Sequence, residues 1–203
     1  SPTSAITASR FTESLGGRSR CLVGHPVNPP HLVPLVEISP APWTSADAVA
    51  RARTVYAEIG QNPILVKKEI DGFILNRLQG AVLNEALRLV GEGYVSAADL
   101  DTTIKDGLGL RWSFMGPFET IELNAPAGIP DYCARFEDMY RPMAQNPPPQ
   151  SVWDQANIDR VAANWGQALS PEQVRAKSRW RDERLAALAA HKRSQPASVP
   201  THS

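Results

Sequence analysis

His25, Glu37 and Asn76 follow one another at intervals of twelve and thirty-nine residues, inside the strings GHPVNPP, PLVEIS and DGFILNRL. An imidazole titrates near neutrality, which makes His25 a natural general base for an alcohol proton. A carboxylate such as Glu37, hydrogen-bonded to that ring, would fix its tautomer and balance the charge it gains. The amide of Asn76, within an amphipathic helix, could hold the oxygen being deprotonated. The three side-chain types together suit moving a proton on or off an alcohol oxygen. Each also has a plainer reading. His25 could be a turn histidine capping a carbonyl, Glu37 an edge-strand carboxylate facing water, and Asn76 an amide bonded to a neighbouring carbonyl.

These residues need elements to place them. Short β-rich runs at 20–23 and 35–39 flank the HPVNPP turn, so His25 is expected just after a strand, where open α/β sheets gather ligands. Thr44 or Ser45 caps an expected helix to Ile59, with Ala48, Val49, Ala52, Val55, Tyr56 and Ile59 at helical spacing and Gly60 as its stop. Residues 63–67 (PILVK) are expected to be a third strand, and strand–helix–strand order marks an α/β layer. Upstream, 6–15 could form a short helix with Thr7 or Ser9 near its start.

From Asp71 onward the pattern is helical. Asp71 can cap a helix to about residue 92 whose wide apolar face carries Phe73, Leu78, Val82, Leu83 and Val90. Ser96 opens the next helix in the form S-x-x-D, extending to about Lys105. GLGL separates it from a helix initiated at Pro117. Further helices are expected at 129–139, 151–164 and 171–190, with 141–150 and its four prolines as a loop. Residues 194–203 resemble a disordered tail.

Bulk properties narrow the field. The 203 residues carry 21 basic and 21 acidic side chains, so no field exists to attract nucleic acid or an anionic membrane. Cys21 and Cys133 match no metal spacing and are expected to be reduced thiols of a cytoplasmic protein. No apolar run reaches the length of a membrane helix.

GHPVNPPHLVPLVEI followed by IDGFILNRL resembles the 3-hydroxyacyl-CoA dehydrogenase superfamily. EALRLVGEGYVSAADLD, DGLGLRWSFMGPFETIELN and SRWRDERLAAL resemble its branch containing lambda-crystallin and L-gulonate 3-dehydrogenase. The resemblance implies reversible oxidation of a 3-hydroxy group with hydride passed to NAD. On the family motifs, His25 is the base of H-x-x-N-P, Glu37 the orienting carboxylate of L-V-E, and Asn76 the oxygen-holding amide of G-F-x-x-N-R. Ser4, twenty-one positions before His25, would contact the hydroxyl, and Asn28 would lie close to the nicotinamide. Arg111, after GLGL, could pair bidentately with a substrate carboxylate or be a surface arginine beside Trp112. The resemblance also implies a homodimer formed through the helical part.

One departure counts against a complete cofactor site. The only G-x-G strings are Gly91–Gly93 and Gly107–Gly109; each follows a helix and lacks the third glycine. The expected fold class is therefore an α/β remnant, the C-terminal strands of a Rossmann-type domain over 1–70, followed by an all-α helical domain over 71–193. The expected function is NAD-dependent oxidation of a small hydroxy acid or hydroxyacyl-CoA, with weak activity for this chain alone. The alternative is a helical dimerisation or structural module, crystallin-like, without turnover.

Overall fold

The computed structural model describes residues 5–195. Among these, the segment up to Gly80 together with Ser170 onward forms one compact unit, and Ala81–Leu169 forms a second.

The first unit is organised around a three-stranded sheet in the order β1-β2-β3, with β1 spanning Leu22–Pro26, β2 Leu35–Pro40 and β3 Asn62–Leu65. Strand β1 pairs antiparallel with β2, and β2 pairs parallel with β3. The register sets His25 opposite Glu37 and Val23 opposite Ser39, so all four project from one face. Strand β1 begins later than expected and runs through His25, because pairing with the apolar LVEISP run continues that far; Arg18–Arg20 form a 3₁₀ turn instead.

Helix α1 (Ser9–Thr12) is a single turn rather than the longer helix expected, since Gly16 and Gly17 follow closely. Helix α2 (Ala46–Glu58) makes the crossover between β2 and β3; the Ser45 hydroxyl caps it by accepting from the Ala48 amide. It covers the sheet face opposite His25. There Gly24 is buried, and a Cβ at that position would lie 2.5 Å from the Tyr56 hydroxyl of α2. Across the sheet, Phe73, Val23, Ala8 and Ala41 form the buried apolar cluster, with Trp43 packed against it.

The second unit is helical. Helix α3 (Phe73–Gly91) starts in the first unit and ends in the second. Helices α4 (Ala97–Thr102), α5 (Gly109–Trp112), α6 (Pro117–Glu122), α7 (Gly128–Gln145) and α8 (Gln155–Trp165) follow, and α9 (Pro171–Ser194) returns the chain to the first unit. The S-x-x-D signature holds at α4, where the Ser96 hydroxyl accepts from the Asp99 amide. The Gly107–Leu110 string is helical rather than a break. A π-turn over Thr103–Leu108 leads into α5, and the Gly109 amide reaches back to the Ile104 carbonyl. A Cβ at Gly109 would sit 2.9 Å from that oxygen, which is why glycine serves there.

Helix α7 also exceeds its expected span, running through Pro142 to Gln145. Ion pairs at i,i+4 spacing, Asp131–Arg135 and Glu137–Arg141, offset the proline's missing donor. Residues 150–153 form a 3₁₀ turn before α8, and α9 continues to Ser194; the rest of the expected tail, from 196, lies outside the described residues.

Side-chain amides join the second unit internally. Asn157 of α8 is buried, and its Nδ2 donates to the Val152 carbonyl at 2.8 Å and the Leu87 carbonyl at 3.2 Å. Asn164 Oδ1 accepts from the Ala97 amide at 2.7 Å, and Asn84 Oδ1 accepts from the Trp153 indole at 2.8 Å. A Cβ at Gly91 would overlap the Asn157 side chain. Gly91→Ala is therefore expected to destabilise this unit by about 1–3 kcal/mol, read as a lowered urea midpoint. An unchanged midpoint would mean that Asn157 is not fixed there.

Candidate active site

The sheet face opposite α2 brings two of the sequence-selected residues together. His25 is 5% exposed and Glu37 is fully buried. His25 Nδ1 lies 2.8 Å from Glu37 Oε2. When the ring is neutral, this contact requires the proton on Nδ1, since an ionised carboxylate only accepts. Nε2 then carries the lone pair and is the nitrogen able to act as a base.

The second carboxylate oxygen has its own partners. Glu37 Oε1 accepts from the Ile74 amide at 2.8 Å and the Leu75 amide at 3.0 Å. A helix leaves its first amides without acceptors, and its positive N-terminal end favours an anion. Glu37 fills that role for α3 from 37 residues away in sequence. Asp71, expected to cap this helix, is held instead by Arg10, whose guanidinium donates to it at 2.9 Å. The carboxylate thus joins the base to the start of the helix bearing Asn76.

Asn76 is half-buried in the first turns of α3, directly after the amides that hold Glu37. Asn28 is exposed in the turn after β1 and precedes a cis peptide bond to Pro29. Ser4 lies outside the described residues. Arg111 is on α5 in the other unit, exposed rather than buried. Nearby in that unit, Tyr132 and Tyr140 bring their hydroxyls to 3.0 Å. That hydrogen bond, with burial, raises the Tyr132 pKa, while the charge of Arg111 acts in the opposite direction.

One participant was not singled out as a site residue from the sequence. Phe73 is fully buried, and its ring centroid is 5.1 Å from that of His25. It also has a positive φ of 50°, after Gly72 at 78°. The glycine of D-G-F was the available signal, since it can mark a left-handed position ahead of a helix. Nothing local marks the phenylalanine.

His25 is buried with its ring aligned by a carboxylate, and Asn28, three residues on, is exposed. No residue can be assigned to the pyrophosphate, because the sequence has no G-x-G-x-x-G string. Among the described residues no group of three potential ligands could hold a metal ion, and no helix is long and apolar enough to cross a membrane.

The sheet with its crossover helix and the following helices define an α/β-plus-helical build that carries a buried His–Glu pair. Residues 1–70 match the NAD binding domain of 3-hydroxyacyl-CoA dehydrogenase, and residues 72–171 match its C-terminal domain. The chain belongs to the 3-hydroxyacyl-CoA dehydrogenase family, and NAD is the cofactor of the matched domain.

Among individual relatives, it is 42% identical to lambda-crystallin of Oryctolagus cuniculus over 95% of this chain and 61% of that protein. It is 38% identical to L-carnitine dehydrogenase of Pseudomonas putida over 98% of this chain and 62% of that protein. The chain thus spans about three fifths of the length of these relatives. In structure it resembles the 3-hydroxyacyl-CoA dehydrogenase of Archaeoglobus fulgidus (TM-score 0.61, 29% identity), covering 94% of this chain and 65% of that one. It shares its fold with an FHMPC 5-dehydrogenase described as an NAD+ dependent dismutase (TM-score 0.80, 24% identity), covering 96% and 63% of the two chains.

Proposed function

We propose that this chain carries the proton-transfer centre of an NAD-dependent dehydrogenase acting on the 3-hydroxy group of a small hydroxy acid or hydroxyacyl-CoA. The reading treats 1–70 as the C-terminal part of a Rossmann-type domain and 71–193 as the helical domain. The observation that carries it is the buried 2.8 Å contact between His25 Nδ1 and Glu37. A buried carboxylate is costly unless it has partners, and this one has three donors around it. With the proton on Nδ1, the lone pair of the neutral ring is left on Nε2.

In this reading Nε2 of His25 accepts the hydroxyl proton as the carbon–oxygen double bond forms. Glu37 balances the positive charge that develops on the ring, and its helix amides keep it from swinging away. Asn76 and Ser4 hold the reacting oxygen, and Asn28 meets the nicotinamide. NAD, when bound, supplies the hydride acceptor. Arg111 pairs with a substrate carboxylate, which favours gulonate-like sugar acids or related hydroxy acids. Arg111→Leu is expected to raise KM for a sugar acid about tenfold or more with kcat little changed, as for loss of one charge-assisted hydrogen-bonded pair. An unchanged KM removes Arg111 from the site.

Titration with NADH tests the proposal directly. Saturable binding, with NAD reduction when gulonate, carnitine or 3-hydroxybutyryl-CoA is supplied, supports it. A stable dimer without cofactor binding supports the second reading, a helical module that pairs with another copy of itself. That reading rests on exposed apolar side chains one turn apart on α3, Leu78 at 62% and Val82 at 38% exposure. Apolar side chains so placed suit burial between subunits.

A further inference from the structure

We propose that Phe73 is a positioning residue: its buried ring and left-handed backbone lock Glu37 between the α3 amides and the His25 ring. This deepens the dehydrogenase reading and rests on His25 as the base. A positive φ on a bulky residue is rare, and such conformations persist only where surrounding packing over-determines them. At Phe73 the packing is visible. The ring is fully buried in one cluster with Val23, Ala8 and Ala41, and the His25 ring centroid lies 5.1 Å from its own, tilted by 32°.

The consequence falls on the next two residues. Gly72 and Phe73 both have positive φ, and Phe73 is itself the first residue of α3. That turn delivers the Ile74 and Leu75 amides to the same oxygen of Glu37, at 2.8 and 3.0 Å. With Oε1 occupied twice, Oε2 is left for His25 Nδ1. The ring of Phe73 borders the imidazole and so limits its rotation about Cβ–Cγ. One residue therefore acts on both partners of the pair: on Glu37 through the backbone that follows it, and on His25 through its ring. A smaller side chain would fill the pocket less completely and let the strained backbone relax, releasing the amides and then the carboxylate.

The test is NMR of the isotope-labelled protein, which requires no turnover and so fails or succeeds independently of the dehydrogenase reading. In the unmodified protein at a pH where the His25 ring is neutral, its nitrogens are expected to show a single tautomer with the proton on Nδ1. The Ile74 and Leu75 amides should exchange at least about 100-fold more slowly than unstructured amides, unlike most first-turn amides. Phe73→Leu is expected to mix the two His25 tautomers and cut that protection at least tenfold, whereas Phe73→Tyr, which keeps the ring, should restore both signals. A folded Phe73→Leu protein with native tautomer and protection would overturn the proposal. Should neither variant fold, the unmodified protein decides: rapid exchange at Ile74 and Leu75, or a proton on Nε2, overturns it, and the expected pair of signals supports it.

Discussion

Glu37→Gln is expected to lower dehydrogenase turnover by about 10²–10⁴-fold while leaving the fold close to native. The amide oxygen of glutamine can still accept from Ile74 and Leu75, so the start of α3 keeps its acceptor. The other end changes sign. An NH₂ group then faces His25 Nδ1, and two donors cannot share that contact. The ring must present Nδ1 as the acceptor and carry its proton on Nε2, where a base needs its lone pair. Turnover with NAD and a 3-hydroxy acid measures the first effect, and urea unfolding the second.

Glu37→Ala separates the two duties. It leaves the Ile74 and Leu75 amides and the His25 ring without their acceptor at a buried place, at a cost of about 3–5 kcal/mol in unfolding free energy. If the alanine variant unfolds at the native urea concentration, the carboxylate is not the cap of α3. If the glutamine variant turns over at the native rate, the tautomer argument is wrong.

His25→Gln should have a large effect on chemistry and a smaller one on binding. Removing a general base costs about 10²–10⁴-fold, and the base is needed when the proton moves rather than when NADH docks. NADH affinity is therefore expected to stay within about threefold of the parent chain while kcat falls at least about a hundredfold. The variant also leaves Glu37 Oε2 facing an amide instead of an imidazole, so part of its stability is retained through the new donor. A variant with native kcat would exclude His25 as the base, whatever the family motif implies.

Much of the architecture was legible because its signals are local. The Ser45 and Ser96 caps, the period of α2 and the Pro117 start of α6 each depend on side chains within one turn of their own backbone. The β-rich runs were also readable, although their ends shifted: β1 runs through His25 because a partner strand, and not its own composition, determines where pairing stops. The helical continuation across Gly107–Leu110 and through Pro142 was missed for a related reason. Glycine and proline weaken a helix locally, but a π-turn closing on Ile104 and ion pairs at i,i+4 spacing along α7 carry it onward.

For the candidate site, residue types alone carried the chemical suggestion, and motif order added the family. The sequence marked an imidazole, a carboxylate and an amide as unusual companions, but left open a turn histidine and a solvent-facing glutamate. The structure resolves the burial and contact of the first two: the strand register puts His25 opposite Glu37, and that carboxyl is fully buried. Only tertiary structure could make Glu37 rather than Asp71 the cap of α3, since the capping amides and their acceptor are 37 residues apart. The same holds for the left-handed backbone of Phe73, which no propensity favours and whose ring lies in the buried cluster with Val23, Ala8 and Ala41. Local sequence determines where backbone donors occur; which distant acceptor satisfies them depends on how strands and helices pack.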